Sequence, residues 1–167
     1  MEEQRKIFSQ IYDQYIDKIY RFVFFKVNSQ EVAEDLASET FMKTWQVFKN
    51  EDSKIENVQA FLYKTARNLV TDYYRQKGKA QIVSAENSSI IDPRENLGIK
   101  AELNSDIEGI RKAISFLKDD YQNVIIWHYL DDLPITKIAA LLDRTEPATR
   151  VLLHRALKSL KQKLDLI

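Results

Sequence analysis

Residues 31 to 48 constrain the fold of this chain more than any other segment. Their apolar side chains recur every three or four positions, which is the period of an α-helix with one buried face. The inward set comprises Val32, Ala33, Leu36, Ala37, Phe41, Trp45 and Phe48. The outward set comprises Glu31, Glu34, Asp35, Glu39 and Lys43. The segment therefore predicts a helix that packs on one side and offers an acidic surface on the other.

The rest of the chain also has helical periodicity, and its composition leaves little room for β structure. Only 3 Gly and 3 Pro occur in 167 residues, which is little material for tight turns. Asn28 and Glu31 have the spacing of a capping box that starts the second helix, which ends near Phe48. The other predicted helices span residues 4–27, 58–76, 106–117, 119–130, 134–142 and 147–164. The predicted fold class is all-α.

Periodicity fades between residues 80 and 104, so the sequence predicts two small helical domains joined by a linker. The predicted domains are residues 1–80 and 106–167, with a linker over residues 81–105. The net formal charge is 0, but the charges are not evenly spread. Positive charges gather in residues 64–79 and 144–163, and negative charges in residues 31–39 and 86–108. We therefore expect two surfaces for phosphate and at least one for a different partner.

The third predicted helix has a polar, mostly basic stripe opposite its apolar face. The stripe comprises Lys64, Arg67, Asn68, Thr71 and Arg75, and Tyr74 lies beside it. Basic side chains neutralise phosphates, and an exposed aromatic ring can stack on an unpaired base. Spacing alone leaves an ordinary solvated helix face as the alternative.

Residues 133–164 have the layout of a helix-turn-helix. A short helix leads through Asp143 and Arg144 to a longer one. The predicted inner side of the longer helix comprises Thr149, Leu152, Leu153, Ala156, Leu157, Leu160 and Leu164. The side chains predicted to face a DNA major groove are Arg150, Val151, His154, Arg155 and Lys158. The alternative is a basic helical hairpin that packs on another surface.

In this order and spacing, the motifs resemble bacterial RNA polymerase sigma factors, in particular the extracytoplasmic-function (ECF) group. Residues 34–45 resemble the polymerase-binding helix, and residues 60–75 resemble the helix that reads and opens the −10 promoter element. Residues 153–160 resemble the −35-recognition helix. The resemblance extends from about Ile7 to Leu164, except in the linker.

The resemblance implies a transcription initiation factor that is not an enzyme. The polymerase core would bind Glu34, Asp35, Leu36, Glu39 and Lys43 through its clamp. The −10 DNA would meet Lys64, Arg67, Asn68, Thr71, Tyr74 and Arg75, with an unstacked base held by the loop at residues 49–57. The −35 DNA would meet the five outward side chains of the last helix. The resemblance further implies a contact with the polymerase flap, a linker path through polymerase channels, and an anti-sigma factor as a partner.

Several positions depart from the family pattern. Ser38 stands where Gln is common, Lys137 where Glu is common, and Asp143 where Gly is common. Arg144 replaces an apolar residue, Pro147 lies where Gly-Thr-Val usually starts the recognition helix, and Leu152 replaces a basic residue. The apolar Leu152 predicts fewer phosphate contacts at the −35 element, or the use of that face against a protein.

Two other functions remain open at this point. A stand-alone helix-turn-helix regulator would bind duplex DNA but would not need the acidic helix, and a helical adaptor would bind proteins only. The chain has no Cys, and His128 and His154 have no partner at metal-ligand spacing, so we expect no metal and no cofactor. Nothing in the sequence predicts a signal peptide, a membrane segment or a small-molecule substrate, so we expect a cytoplasmic protein.

Overall fold

The computed structural model describes residues 1–52, 54–83 and 105–165. Its elements are α1 (Glu2–Val27), α2 (Gln30–Phe48), α3 (Val58–Val83), α4 (Ser105–Ser115), α5 (Asp119–Ile125), a π-helical turn (Ile126–Leu130), α6 (Ile135–Leu142) and α7 (Glu146–Asp165). These described segments contain no β-strand, and the all-α prediction is confirmed. The chain divides into two compact units, Met1–Asp92 and Pro93–Ile167. The predicted limits of the linker stay a prediction, because most of residues 81–105 lies outside the described part.

The N-terminal unit is built from α1, α2 and α3, which share one apolar core. Its buried members are Ile19, Phe22 and Val23 of α1, Ala33, Ala37 and Phe41 of α2, and Leu62, Tyr63, Ala66 and Val70 of α3. Two rings near the start of α1, Phe8 and Tyr12, pack against Phe41 with centroid distances of 6.4 and 4.9 Å. The apolar stripe predicted for residues 31–48 therefore does face its neighbours.

The α1–α2 junction differs from the predicted capping box. Asn28 ends α1 in the left-handed conformation (φ 57°), and its backbone N–H donates to the Phe24 carbonyl at 3.0 Å. Ser29 then caps α2, because its hydroxyl accepts the Val32 N–H at 3.3 Å. Asn tolerates positive φ better than most residues, so Asn28 serves the end of one helix and Ser29 the start of the next.

Two threonines of α2 are fully buried, which the sequence pattern did not predict. The Thr40 hydroxyl donates to the Leu36 carbonyl, and the Thr44 hydroxyl donates to the Thr40 carbonyl, both at 2.7 Å. These bonds satisfy the hydroxyls within the helix itself, so both side chains can enter the core without an unpaired polar group.

Helix α3 runs to Val83 and not to about Gln76 as predicted. The apolar periodicity ends earlier, but good helix formers such as Lys77 follow and no proline interrupts them. Helical propensity therefore carries the helix beyond the end of its packed face.

The C-terminal unit has a core shared by α4 to α7. Its buried members include Ala113 and Ile114 of α4, Val124 and Ile125 of α5, Ile138 and Leu141 of α6, and Leu152 and Ala156 of α7. The single helix predicted for residues 119–130 changes at Ile126 into a π-helical turn, where the Asp131 N–H donates to the Ile126 carbonyl at 3.0 Å. His128 is half-buried and donates from Nδ1 to the Leu133 carbonyl at 3.0 Å, so it supports this turn.

The turn between α6 and α7 combines a left-handed residue that ends α6 with a side-chain cap that starts α7. Asp143 adopts the left-handed conformation at φ 54°, the region that favours glycine. The N–H groups of Asp143 and Arg144 donate to the Ala140 and Ala139 carbonyls at 3.3 and 3.0 Å, which satisfies the end of α6. Thr145 caps α7 by accepting the Ala148 N–H at 3.2 Å. Helix α7 therefore begins at Glu146, one residue before the predicted start.

Candidate polymerase and nucleic-acid interfaces

The acidic face of α2 lies opposite the core. Glu34, Asp35, Glu39 and Lys43 are exposed, and Leu36 is half-buried at the edge of the face. A Glu39 carboxylate oxygen lies 3.9 Å from Lys43 Nζ, a loose pair in solvent. The face can therefore present at least two carboxylates to a basic partner without breaking a buried contact.

Helix α1 borders this face through Tyr20. Partial burial raises the pKa of the Tyr20 hydroxyl above its ordinary value of 10.0, and the negative charge of Glu34 raises it further. The Glu34 side chain also accepts a hydrogen bond from the Gln30 amide at 3.2 Å. Glu34 is therefore the member of the acidic set most constrained by its surroundings.

An open apolar groove lies at the α1–α2 edge, and the sequence pattern did not predict it. It measures about 520 Å³ and is lined by Arg5, Phe8, Ser9, Tyr12, Phe41, Met42 and Trp45. Met42 is 61% exposed. An exposed apolar surface of this kind is typical of a site that a partner covers. The sequence signal was the density of aromatic rings in both helices, which include Phe8, Tyr12, Phe41 and Trp45.

The basic face of α3 presents the predicted side chains together. Lys64, Asn68, Thr71 and Arg75 are exposed and Arg67 is half-buried. The Thr71 hydroxyl donates to the Arg67 carbonyl at 3.0 Å, and Arg75 lies 3.9 Å from Asp72. Neither contact is buried, so the cationic groups remain available to phosphate.

Tyr74 has a tertiary contact that its position on the basic face did not predict. Its hydroxyl donates a hydrogen bond to the backbone carbonyl of Lys26 near the end of α1. The ring is 44% exposed and lies 5.3 Å from the Tyr73 ring, centroid to centroid. Burial raises the pKa of Tyr74 above 10.0, and the charge of Tyr73 raises it further.

The loop before α3 forms a second, polar groove with the start of α1. The groove measures about 400 Å³ and is lined by Gln4, Phe48, Asn50, Glu51, Lys54 and Ile55. The Asn50 side chain accepts the Asp52 N–H at 3.1 Å, and the Asn57 side chain accepts the Ala60 N–H at the same distance. The groove therefore combines an aromatic ring with amide, carboxylate and amine groups.

Helix α7 separates its two predicted faces. Arg150, Val151, His154, Arg155 and Lys158 are all exposed, whereas Thr149 and Ala156 are buried. An oxygen of Glu146 lies 3.6 Å from Arg150, and both side chains remain in solvent. The five side chains predicted to meet the −35 DNA therefore lie on the exposed side of this helix.

Leu152 corrects one interpretation of the sequence. It is 7% exposed and belongs to the core, so it does not leave an apolar patch on the DNA-facing side. The expectation that this position offers a protein-binding face is wrong, because the side chain lies in the core. The expectation of fewer phosphate contacts at the −35 element stays a prediction. The α7 register turns Leu152 inward, on the opposite side from Arg150 and His154.

The described residues contain no group of three or more His, Cys, Asp or Glu side chains that could hold a metal ion. None of the helices in this part of the chain combines the length and the apolar character that a bilayer-spanning segment needs.

Comparisons with known proteins define the class. The chain matches the family model for sigma-70 region 2 over residues 11–80 and that for sigma-70 region 4 over residues 107–160. It therefore belongs to the sigma-70 family and is an RNA polymerase sigma factor, a polymerase subunit that recognises promoters.

Its curated relatives are sigma factors of the ECF group. It is 25% identical to the ECF RNA polymerase sigma factor BldN of Streptomyces coelicolor, over 92% of this chain and 58% of BldN. It is 27% identical to the ECF sigma factor SigM of Bacillus subtilis, over 91% of each chain. The chain thus spans a little more than half of BldN and nearly all of SigM.

The fold has a solved counterpart. The sigma factor RpoE of Bartonella quintana, in a co-crystal structure with the anti-sigma factor NepR, matches with a TM-score of 0.71. The match covers 96% of this chain and 98% of RpoE at 20% identity.

Proposed function

We propose that this sigma factor uses three separate surfaces: the α2 face for the polymerase clamp, the α3 face for the −10 element and the α7 face for the −35 element. The observation that carries the proposal is the separation of charge within the N-terminal unit. One exposed helix face is acidic and another is basic, so a single small unit can bind a protein and a nucleic acid simultaneously.

The clamp contact is assigned to Glu34, Asp35, Leu36, Glu39 and Lys43. Exposed carboxylates steer a basic partner and fix its register, while the apolar edge contributes buried area. The groove at Met42 and Trp45 lies on the same helix and extends this apolar edge. Ser38 is exposed on this face, so the departure from Gln changes a contact and not the fold.

The −10 contact is assigned to Lys64, Arg67, Asn68, Thr71, Tyr74 and Arg75. The cationic groups hold the phosphates, and the polar groove beside the preceding loop accepts one unstacked base. The Phe48 ring suits the face of a base, and the amide, carboxylate and amine groups suit its edge. Capture of an unstacked base favours the melted form of the promoter, so binding drives strand opening.

The −35 contact is assigned to Arg150, Val151, His154, Arg155 and Lys158. A recognition helix in the major groove uses arginines for guanine edges or phosphates and an aliphatic group for thymine methyls. Val151 is 49% exposed among basic neighbours, which suits the second role.

The polymerase flap is assigned to the apolar face of α4. Ile107 and Ile110 of α4 are exposed although they are large and apolar, as is Phe116 directly after the helix. We further propose that an anti-sigma factor masks the protein and DNA surfaces, that the protein acts in the cytoplasm, and that it catalyses no reaction itself.

Co-elution with purified core RNA polymerase on gel filtration tests the clamp surface. Wild type is expected to co-elute, and the Asp35→Arg, Glu39→Arg double variant is expected to elute alone. The matched control is Asp13→Arg, Asp17→Arg, which makes the same charge change at the same spacing on exposed positions of α1. Loss of co-elution in both variants, or in neither, would contradict the assignment of this surface.

A promoter-DNA binding assay, run beside the co-elution experiment, separates the alternatives. Wild type that ignores the core but still binds promoter DNA would be a stand-alone helix-turn-helix regulator. A protein adaptor would have no affinity for DNA, so Arg150→Ala with Arg155→Ala would change nothing in the DNA assay. Promoter binding by wild type that both substitutions leave unchanged would contradict the −35 assignment.

A further inference from the structure

Helix α3 extends well beyond its packed segment. Up to residue 78, its last strongly buried side chains are Leu69 and Val70, at 6% and 2% exposure. From residue 71 to residue 78 no side chain is buried. Packing of the core therefore does not fix the direction of this extension, which carries Arg75 and Lys77 in solvent.

A tertiary hydrogen bond joins the extension to α1. The Tyr74 hydroxyl donates to the carbonyl of Lys26, two residues before Asn28 ends α1. The last carbonyls of a helix commonly accept hydrogen bonds from outside the helix, and the Lys26 carbonyl accepts one from Tyr74. The bond joins the extension to the junction where α2, the proposed clamp-binding helix, begins.

The Tyr74 hydroxyl makes a tertiary hydrogen bond, whereas Arg75 and Lys77 make contacts within α3 itself and in solvent. Arg75 pairs only loosely with Asp72, at 3.9 Å in solvent. The Lys77 ammonium lies 5.8 Å from the centroid of the Tyr73 ring. Both cations sit within three residues of the anchored tyrosine, so a change in the anchor moves their positions relative to Lys64 and Arg67 in the packed part of α3.

We propose that Tyr74 is a positioning residue for −10 binding: its hydroxyl anchors the α3 extension to α1 and so aligns Arg75 and Lys77 with the DNA phosphates. This inference rests on the proposed −10 function of α3. It differs from a stacking role, in which the ring alone would matter and the hydroxyl would be dispensable.

The test compares holoenzymes reconstituted with wild type, Tyr74→Phe, Tyr74→Ala and Tyr73→Phe. The probe is a fluorescent fork-junction DNA copied from the strongest start site that the wild-type holoenzyme uses in vitro. Affinity is measured over a range of salt concentrations. The slope of log affinity against log salt reports how many phosphates are neutralised, at about 0.7 to 0.9 per phosphate.

Tyr74→Phe keeps the ring and removes only the hydroxyl. We expect it to bind about three- to tenfold more weakly than wild type, the range for one lost hydrogen bond. We also expect its salt slope to fall by about 1 to 2, as two phosphate contacts weaken, towards the slope of an Arg75→Ala, Lys77→Ala reference. Tyr73→Phe removes a hydroxyl from the neighbouring ring and is expected to match wild type in both measurements.

Three outcomes would overturn the proposal. Wild-type behaviour of Tyr74→Phe combined with loss in Tyr74→Ala would establish stacking. A weaker Tyr74→Phe with an unchanged slope would indicate a purely structural loss, because a smaller folded fraction lowers affinity without altering the number of phosphate contacts. An equal loss of DNA affinity in Tyr73→Phe would show that the effect is not specific to the Tyr74 hydroxyl.

The proposed −10 function of α3 is tested separately in the same DNA-binding assay. Lys64→Ala with Arg67→Ala must weaken wild-type binding to the fork. If it does not, the −10 assignment of α3 fails. If it does, and Tyr74→Phe matches wild type, the −10 assignment stands and only the positioning role is lost.

Discussion

The Arg144 guanidinium lies 2.9 Å from a carboxylate oxygen of Asp120, and this pair ties the turn of the helix-turn-helix to the start of α5. The family pattern that the sequence resembles has an apolar residue at this position, and an apolar side chain after a helix end commonly packs back on the last turn. The chain replaces that packing with an ion pair between two partly exposed side chains. The arginine that departs from the family pattern at position 144 is therefore paired with a carboxylate in this structure.

The Arg144–Asp120 pair is expected to contribute little stability. A double-mutant cycle of Arg144→Ala and Asp120→Ala should give a coupling of about 0.2 to 1 kcal/mol, because solvent screens the pair. Urea unfolding in a Trp45→Phe background measures it, since Trp127 in the C-terminal unit is then the sole tryptophan. The coupling should shrink at high salt, and a coupling above about 2 kcal/mol that ignores salt would be inconsistent with this account.

Asp143 predicts a stabilising substitution in the same turn. Its left-handed conformation costs an L-residue about 1 to 2 kcal/mol, although Asp tolerates it better than most. Asp143→Gly should raise the free energy of unfolding by about 0.5 to 1 kcal/mol, because relief of strain exceeds the added flexibility of the unfolded chain. Asp143→Ala should lower it, and the same Trp127 signal reports both. Equal stability of the two variants would show that the backbone conformation is not decisive.

Residue pattern alone predicted the helical class, because Val32, Ala37 and Phe41 repeat at the helical period and lie against neighbours in the fold. It also predicted the exposed side of α7, since Leu152 and Ala156 alternate with Arg150 and His154 at the same period. The expectation of a protein-binding face at Leu152 is wrong, because the helical register places this side chain in the core whatever residue type is common in the family.

Other features depend on contacts that no local pattern encodes. Thr40 and Thr44 are buried because their hydroxyls bond within the helix, yet their polarity suggested solvent. The Tyr74 bond joins residues 48 positions apart in the sequence. The groove at Phe8 and Met42 arises where two helices meet, and neither helix predicts it alone.

The α1–α2 junction predicts different responses at two adjacent residues. Ser29→Ala should lower the free energy of unfolding by about 1 kcal/mol, because the Val32 N–H loses its acceptor. Asn28→Gly should be near neutral, since glycine suits positive φ, whereas Asn28→Ala should be destabilising. Trp45 fluorescence in a Trp127→Phe background reports this unit. A loss in Asn28→Gly as large as that in Ser29→Ala would restore Asn28 as the cap.

The raised pKa of Tyr74 predicts a pH effect in alkaline solution. Because the pKa is higher in the folded than in the unfolded protein, the folded state retains the proton longer. Its contribution is fully present below the ordinary value of 10.0 and is lost as the pH rises through the folded pKa. Wild type should therefore lose stability more steeply than Tyr74→Phe above this value, with Tyr73→Phe as the control. Parallel curves for wild type and Tyr74→Phe would contradict the assigned burial.

Leu152 and Val151 are adjacent in α7, but the helix turns Leu152 into the core and Val151 into solvent. Leu152→Ala should cost about 2 to 5 kcal/mol of unfolding free energy, and Leu152→Arg, the family-like charge, should cost more because it buries an unpaired cation. Val151→Ala should change stability by less than about 0.5 kcal/mol while altering −35 preference in a randomised promoter selection. Thermal unfolding and that selection, made on the same variants, show which of the two side chains supports the core and which one contacts DNA. A folded Leu152→Arg variant with tighter −35 binding would show that position 152 faces DNA after all.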